Sequence, residues 1–381
     1  MTVALYRGDF DRVAWPTTDD AERARRYLEP ILREGTTFVA PNLLADLAVA
    51  LVDDLVVPYT LSRELPGQSY IVSPFTHYVT YGAEEIGKLE TPALEAPLRA
   101  FVRGLGVALT RARFDRVVYV DNWLTSTTLH PKFTREQLAA LVGALVDAHP
   151  TYAIVLRSVD VRAGRDLDAQ VRALGARMVF SRRVLFQDPQ QAHAHRDHRR
   201  DAALLARALR DGAYRAVDLR SLDDAGLRRV TELYDALYVQ KWSEHNPQLT
   251  ARFVAHAVRC GFLEGQALVS REGSLDGVFG AWTRGGLYYV PLLGYDTALP
   301  QKLGLYRMLA ALSTDDALAR GVLVHDSAGV SEFKQNRGGV PVVEYSAVFD
   351  RHLPAKQRWP WALLGVLLEQ VALPLIEHYD L

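Results

Sequence analysis

Apolar residues recur at helical spacing after the polar cluster Thr17-Thr18-Asp19-Asp20, which has the look of an N-cap, and predict a first helix over Asp19–Arg33. From Leu55 to Thr80 the pattern shortens, and VVPYTL and SYIVS, bounded by Pro or Gly, read as strands. A helical stretch, Pro92–Arg111, leads to the apolar run Arg116–Val120, the polar segment Asp121–Pro131 and a helix over Thr134–Ala148. Tyr152–Arg157 and Met178–Phe186 read as buried strands around a helix, Asp166–Leu174, that Gly175 closes. This half alternates strand and helix.

The segment Asp188–Arg200 is polar throughout and reads as a solvated linker. It carries His193, His195 and His198, but no second ligand motif accompanies them, so no metal is expected. The second half opens with a strand, Tyr214–Leu219, and two helices, Asp223–Tyr238 and Leu249–Cys260; Leu227, Val230, Leu233 and Leu237 share one face of the first. Three strands follow, Ala267–Ser270, Gly277–Thr283 and Leu287–Leu293, joined by the turn signals Glu272-Gly273 and Arg284-Gly285-Gly286, an antiparallel meander. Beyond it lie a helix (Leu303–Arg320), a strand (Val322–Asp326), a short helix (Ser331–Asn336) that ends at Gly338-Gly339, and a last strand (Val342–Phe349).

At 381 residues the chain is too long for one ordinary core and suits two domains. With 49% hydrophobic and 23% charged residues it can bury enough apolar surface to order itself. The 44 basic and 45 acidic residues leave a net charge of -1, so no whole-protein field gathers nucleic acid or anionic membrane. The single cysteine, Cys260, excludes an internal disulfide and a thiolate zinc site, and fits a reducing cytoplasm. Met1–Pro16 lacks the features of a signal peptide, and Pro360, Glu369 and Pro374 interrupt the most apolar stretch, so a soluble cytoplasmic protein is expected.

The order of the second half, with a polar turn between the third meander strand and the next helix, resembles the GNAT acyltransferases. In that family an Arg/Gln-x-x-Gly-x-Gly/Ala turn holds the CoA pyrophosphate on backbone N–H groups at a helix N-terminus. Here the turn reads Gln301-Lys302-Leu303-Gly304-Leu305-Tyr306, with Tyr306 at the family's last small position. The run from Asp326 to Gly339, followed by Glu344-Tyr345, is similar to the two-domain relatives of the fold, among them the Fem-type aminoacyl transferases. The resemblance implies an α/β (α+β) chain of tandem GNAT-like domains, each a mixed, mainly antiparallel sheet flanked by helices. Residues 1–190 would be a degenerate copy without a cofactor of its own, best seen over 40–186. A linker over 191–212, a domain with the thioester site over 213–355 and an apolar docking helix over 356–381 would complete the chain.

Transfer of an acyl group to an amine needs a base, an oxyanion donor and an acid near the leaving thiolate. The resemblance points to Asp296 as base, with a turn cap as the plain alternative, and to Tyr345 and Tyr306 as acids, against aromatic packing. Gln301, Lys302, Leu303, Gly304 and Leu305 would hold the cofactor phosphates. Lys334 and Arg337, three apart, share a helical face and suit a phosphate or carboxylate clamp, or a solvated face with Glu332. For the acceptor two clusters stand out: Lys241, Trp242, Glu244, His245 and Asn246 between the helices of the second half, and Asn122, Ser126, Thr127, His130 and Arg157 at strand ends of the first. Caps and turn hydrogen bonds are the alternative for both. Cys260 and His256 read as a packed thiol and its neighbour.

No Gly-x-Ser-x-Gly elbow, P-loop or Rossmann fingerprint is present, which removes hydrolase, kinase and dehydrogenase readings. The expected function is N-acyl transfer, other than aminoacyl, from acyl-CoA or an acyl-carrier protein to a small amine, with no permanently bound cofactor. A tRNA-dependent Fem-like transferase and a catalytically silent binding module are the alternatives. The apolar tail suggests docking on the body or a homodimer.

Overall fold

The computed structural model describes residues 2–81, 84, 92–163, 165–329 and 331–373. Apolar runs produce twelve strands among them, all hydrogen-bonded into one sheet. The first half supplies β1 (Val3–Tyr6), β2 (Ala45–Val52), β3 (Leu55–Ser62), β4 (Val117–Val120), β5 (Ala153–Val159) and β6 (Arg177–Gln187). The second supplies β7 (Tyr214–Asp218), β8 (Glu264–Ser270), β9 (Leu275–Arg284), β10 (Leu287–Tyr295), β11 (Leu323–His325) and β12 (Gly339–Phe349).

Their order is β1-β2-β3-β4-β5-β12-β6-β11-β10-β9-β8-β7. Exchanging each first-half strand with its counterpart, β1 with β7 through β6 with β12, returns the same order read backwards. In both halves the fourth and fifth strands are parallel and the earlier neighbours antiparallel. The last strands change places: β12 lies between β5 and β6, and β6 between β12 and β11. The two copies are therefore topological repeats, and the repeat begins at β1 rather than near residue 40. Instead of one sheet per half, each half completes the other's.

Helices α1 (Asp19–Glu34), α2 (Pro92–Arg111), α3 (Arg135–Ala148) and α4 (Arg165–Ala173) belong to the first half. The second has α5 (Arg196–Arg210), α6 (Asp224–Tyr234), α7 (Ala251–Arg259), α8 (Leu305–Arg320), α9 (Ser331–Gln335) and α10 (Ala355–Leu367). Side-chain caps set several starts: Thr18 accepts from Ala21 N, and Thr134 and Gln137 form a capping box on α3. One apolar core joins α1 (Tyr27, Leu28, Ile31) to α7 (Val254, Ala257, Val258), so the halves also share buried surface. In the docked tail, Trp361 of α10 is buried against Phe114 and Tyr78; residues 374–381 lie outside the described part.

Two expectations differ. Ser69–Ser73 is a buried turn, not a strand, because its backbone pairs with other loops: Ser69 N donates to Asn42 O and Tyr70 N to His245 O. The expected linker is largely helix α5, whose Leu205 packs with Leu305 and Met308 of α8 and whose His198 is buried. An amphipathic helix with many arginines on its outer face reads as polar in sequence yet docks by its narrow apolar side.

Candidate functional site

β10 and β11 run together only over Leu287–Tyr289 and Leu323–His325. Beyond that point β11 ends, while β10 passes a bulge between Tyr289 and Leu292 and continues to Tyr295 against β9 alone. The parting opens the ladder at Asp326, which pairs with Lys334; the Tyr306 ring lies against Phe333, with Asp326 and Tyr238 close enough to act on its phenol. Tyr238 comes from the π-helical turns Asp235–Trp242 that extend α6, a widened geometry that recurs at functional sites. The Tyr306 ring sits 4.7 Å from Phe333 and 6.1 Å from Tyr295. Burial and then the Asp326 charge push the Tyr306 phenol well up, and burial does the same to Tyr238.

Lys334, on α9, is buried and donates to Ala328 O at 3.0 Å and to Asp326 O, with the Asp326 carboxylate at 3.6 Å. Burial pushes its ammonium down from the ordinary lysine value, against the pull of Asp326; burial likewise pushes the Asp326 carboxyl up. Burial thus shifts the two groups toward each other, the carboxyl up and the ammonium down.

Beside this opening, at the centre of the sheet, runs a buried polar network. Arg182 of β6 meets Glu344 of β12 (Nε–Oε1 2.8 Å) and also donates to Ser126 O at 3.1 Å and Thr127 Oγ1 at 2.9 Å. Burial alone would raise Glu344; the Arg182 charge and His325 outweigh it and hold the carboxyl below the usual range. The register leaves Ser181 of β6 as an unopposed bulge residue, and its hydroxyl lies 3.0 Å from His77 Nε2. Burial, with Arg157 and Arg182 nearby, lowers His77 to about 3. Tyr78 donates to Ser346 at 3.0 Å, and Ser126 bonds Tyr289, whose phenol burial pushes up to about 12. Asp121, Leu124 and Ser327 in the loops around this network, and Ser158 within β5, all have positive φ.

Asn122, Ser126, Thr127, His130 and Arg157 do converge here, but they are spent on the junction. Asn122 donates to Thr60 and Ile71 O, His130 bridges Asp121 and Arg157 O, and Arg157 donates to Ile71 O and Ser126 O. Arg284 of β9 closes it on Asp121 at 3.0 Å. In the other cluster Asn246 is buried, holds Tyr238 O and receives Asn42; His245 is half-buried, 3.4 Å from Glu84, and Lys241, Trp242 and Glu244 are exposed.

Three expectations change. Asp296 is a turn residue paired to Arg229 at 2.7 Å, which takes the carboxylate a base would need. Tyr345 alternates with Glu344 along β12 and lies under Arg172 of α4, on the opposite face. Arg337 does not share a clamp with Lys334: it stacks on Phe333 and donates to Asp201 of α5 at 2.6 Å. At the phosphate-type turn Gln301 and Lys302 are exposed, Leu303 is half-buried, and Leu305 enters the core. Gly304 has φ 71°, and a Cβ there would lie 2.7 Å from Leu204 of α5, so backbone conformation and packing both require a glycine. Sequence reading assigned no side-chain role to Asp326, Arg182 or Glu344; strand pairing is what brings Arg182 to Glu344. Cys260 is the packed thiol expected, its pKa raised by burial.

No protein-family model and no curated protein sequence matches the chain. Solved structures do. The C-terminal domain of an Agrobacterium fabrum protein assigned as a lysylphosphatidylglycerol synthetase aligns over 92% of this chain and 97% of its own, at 13% identity and TM-score 0.52. FemX aligns over 88% and 96%, at 11% identity and TM-score 0.50. A tandem GNAT protein from the clavulanic acid biosynthesis pathway aligns over 93% and 100%, at 13% identity and TM-score 0.39. The repeated strand order with its parting parallel pair is thus a fold that this chain shares with FemX and with the Agrobacterium fabrum domain.

Proposed function

We propose that this chain is an acyltransferase whose reaction takes place in the opening between β10 and β11, where Lys334, Asp326, Tyr238 and Tyr306 meet. The observation that carries the reading is the parting of the parallel pair at Tyr289 and His325 beside a buried lysine and a carboxyl with opposed shifts. An amine nitrogen attacks the carbonyl of a pantetheine thioester, from acyl-CoA or an acyl-carrier protein. The C–N bond forms, Asp326 takes the amine proton, and the C–S bond breaks as the thiolate accepts a proton from Tyr306 or Lys334. The ammonium has three donors, of which the Asp326 and Ala328 carbonyls use two. The third, directed loosely at the Asp326 carboxylate, suits a developing oxyanion.

A second donor class is favoured by the likeness to FemX and to the lysylphosphatidylglycerol synthetase domain: an aminoacyl ester on tRNA. Among the described residues no helix is long and apolar enough to cross a membrane. The test is transfer of radiolabelled acyl groups from acetyl-CoA, a long-chain acyl-CoA and aminoacyl-tRNA to a panel of amines, with melting curves alongside. A ligand bound only by the folded state raises the melting temperature. Turnover with one donor class, lost in Asp326→Asn, supports the reading; no transfer and no shift with all three would leave a silent binding module.

A further inference from the structure

The histidines of the expected linker are brought against α8. His193 precedes α5, His198 lies in its first turn, and their rings stand 4.9 Å apart, edge to face. Asp315 of α8 completes a set whose ligand atoms all lie within 4.8 Å of one another. His198 is 2% exposed, and its Nε2 is buried without a hydrogen-bond partner. An imidazole nitrogen stripped of water and left unpaired is costly and rare in folded proteins, and calls for a ligand.

We propose that His193, His198 and Asp315 bind a divalent first-row transition ion, zinc by ligand chemistry, with water in the remaining position. Two imidazoles and a carboxylate are ordinary zinc ligands, and tetrahedral bonds of about 2.0–2.1 Å put ligand atoms about 3.4 Å apart. Side-chain rotation of His193 and Asp315, both exposed, closes the difference from the spacing seen. Magnesium and calcium, which prefer all-oxygen shells, do not fit.

The ion would clasp α5 to α8. Three residues after His198, Asp201 receives Arg307 of α8 at 2.5 Å and Arg337 at 2.6 Å. Arg337 in turn follows α9, which holds Lys334. The clasp therefore steadies the helix behind the reaction site without touching it.

The test uses tag-free full-length protein, stripped with a chelator and titrated with Zn2+ by calorimetry, with Co2+ as spectroscopic probe and Mg2+ as control. The expected result is one Zn2+ per chain, a tetrahedral Co2+ spectrum, a higher melting temperature with zinc, and no response to Mg2+. Affinity should fall at least tenfold in His193→Gln and in Asp315→Asn, both at exposed positions where folding is unaffected. Sub-stoichiometric binding, or binding that both variants retain, would overturn the proposal.

Discussion

Arg182 and Glu344 face each other across the exchanged strands β6 and β12, Nε to Oε1 at 2.8 Å, with side-chain exposures of 17% and 2%. Since these strands come from different halves, the ion pair is also a bond between the repeats. Removing one partner leaves a buried charge uncompensated, so Arg182→Met or Glu344→Leu alone should cost about 3–5 kcal/mol. The double variant Arg182→Met with Glu344→Leu should recover much of the loss. Urea unfolding of the three proteins measures it; additive single effects would mean the pair is not coupled.

Neither half has a closed sheet. A chain ending at residue 190 lacks β12, which β5 and β6 both need, and β11, which covers the other edge of β6. Unpaired central strand edges aggregate. Residues 1–190 alone should be insoluble or lack a cooperative melt, and co-expression with 191–381 should restore one. A cooperative transition for the isolated half, followed by circular dichroism, would refute this.

His77 gives the protein an acid-sensitive limb. Its folded pKa is lowered to about 3 from 6.5 by burial, then by Arg157 and Arg182. Between those values the unfolded chain binds the proton and the native one does not, so the stability His77 contributes is present above about pH 6.5 and lost as pH falls toward 3. His77→Gln should flatten the decline in denaturation midpoint between pH 7 and pH 4.5. An unchanged slope would assign the decline to other groups.

At the reaction site, Lys334→Met should lower kcat by two to three orders of magnitude, about the loss of one oxyanion donor. Lys334→Arg should not rescue it, because a planar guanidinium cannot replace an ammonium seated on two carbonyls. Removing the ammonium also leaves the Asp326 carboxyl and two carbonyls without their donor, so the Met variant should melt below the parent, and kcat is compared at a temperature where both are folded. Retained kcat in Lys334→Met would remove the lysine from the chemistry.

The docked tail is a structural element. Trp361 is 1% exposed with its ring 4.4 Å from Phe114. Trp361→Ala should cost about 3–5 kcal/mol through the cavity it leaves. Thermal unfolding would show it; a loss under 1 kcal/mol would mean α10 is only loosely attached.

The sequence by itself determined the elements whose physics is local. The meander of β8 to β10 was legible from turn glycines and alternating apolar positions, α8 and β12 from periodicity, and the likeness to a repeated acyltransferase fold from element order. Strand β2 escaped although it is a near-continuous apolar run, ADLAVALV, and Ser69–Ser73 was misread, because an apolar pentapeptide carries no signal of where its backbone hydrogen bonds go. Tertiary structure alone decided the exchange of β6 and β12, and with it the meeting of Arg182 with Glu344, residues 162 positions apart. It also decided that Asp296 and Arg337 are neutralised by Arg229 and Asp201, and that Asp326 and Lys334 stand together. Ion pairing and desolvation depend on distances through space, which side-chain identity and spacing along the chain leave open.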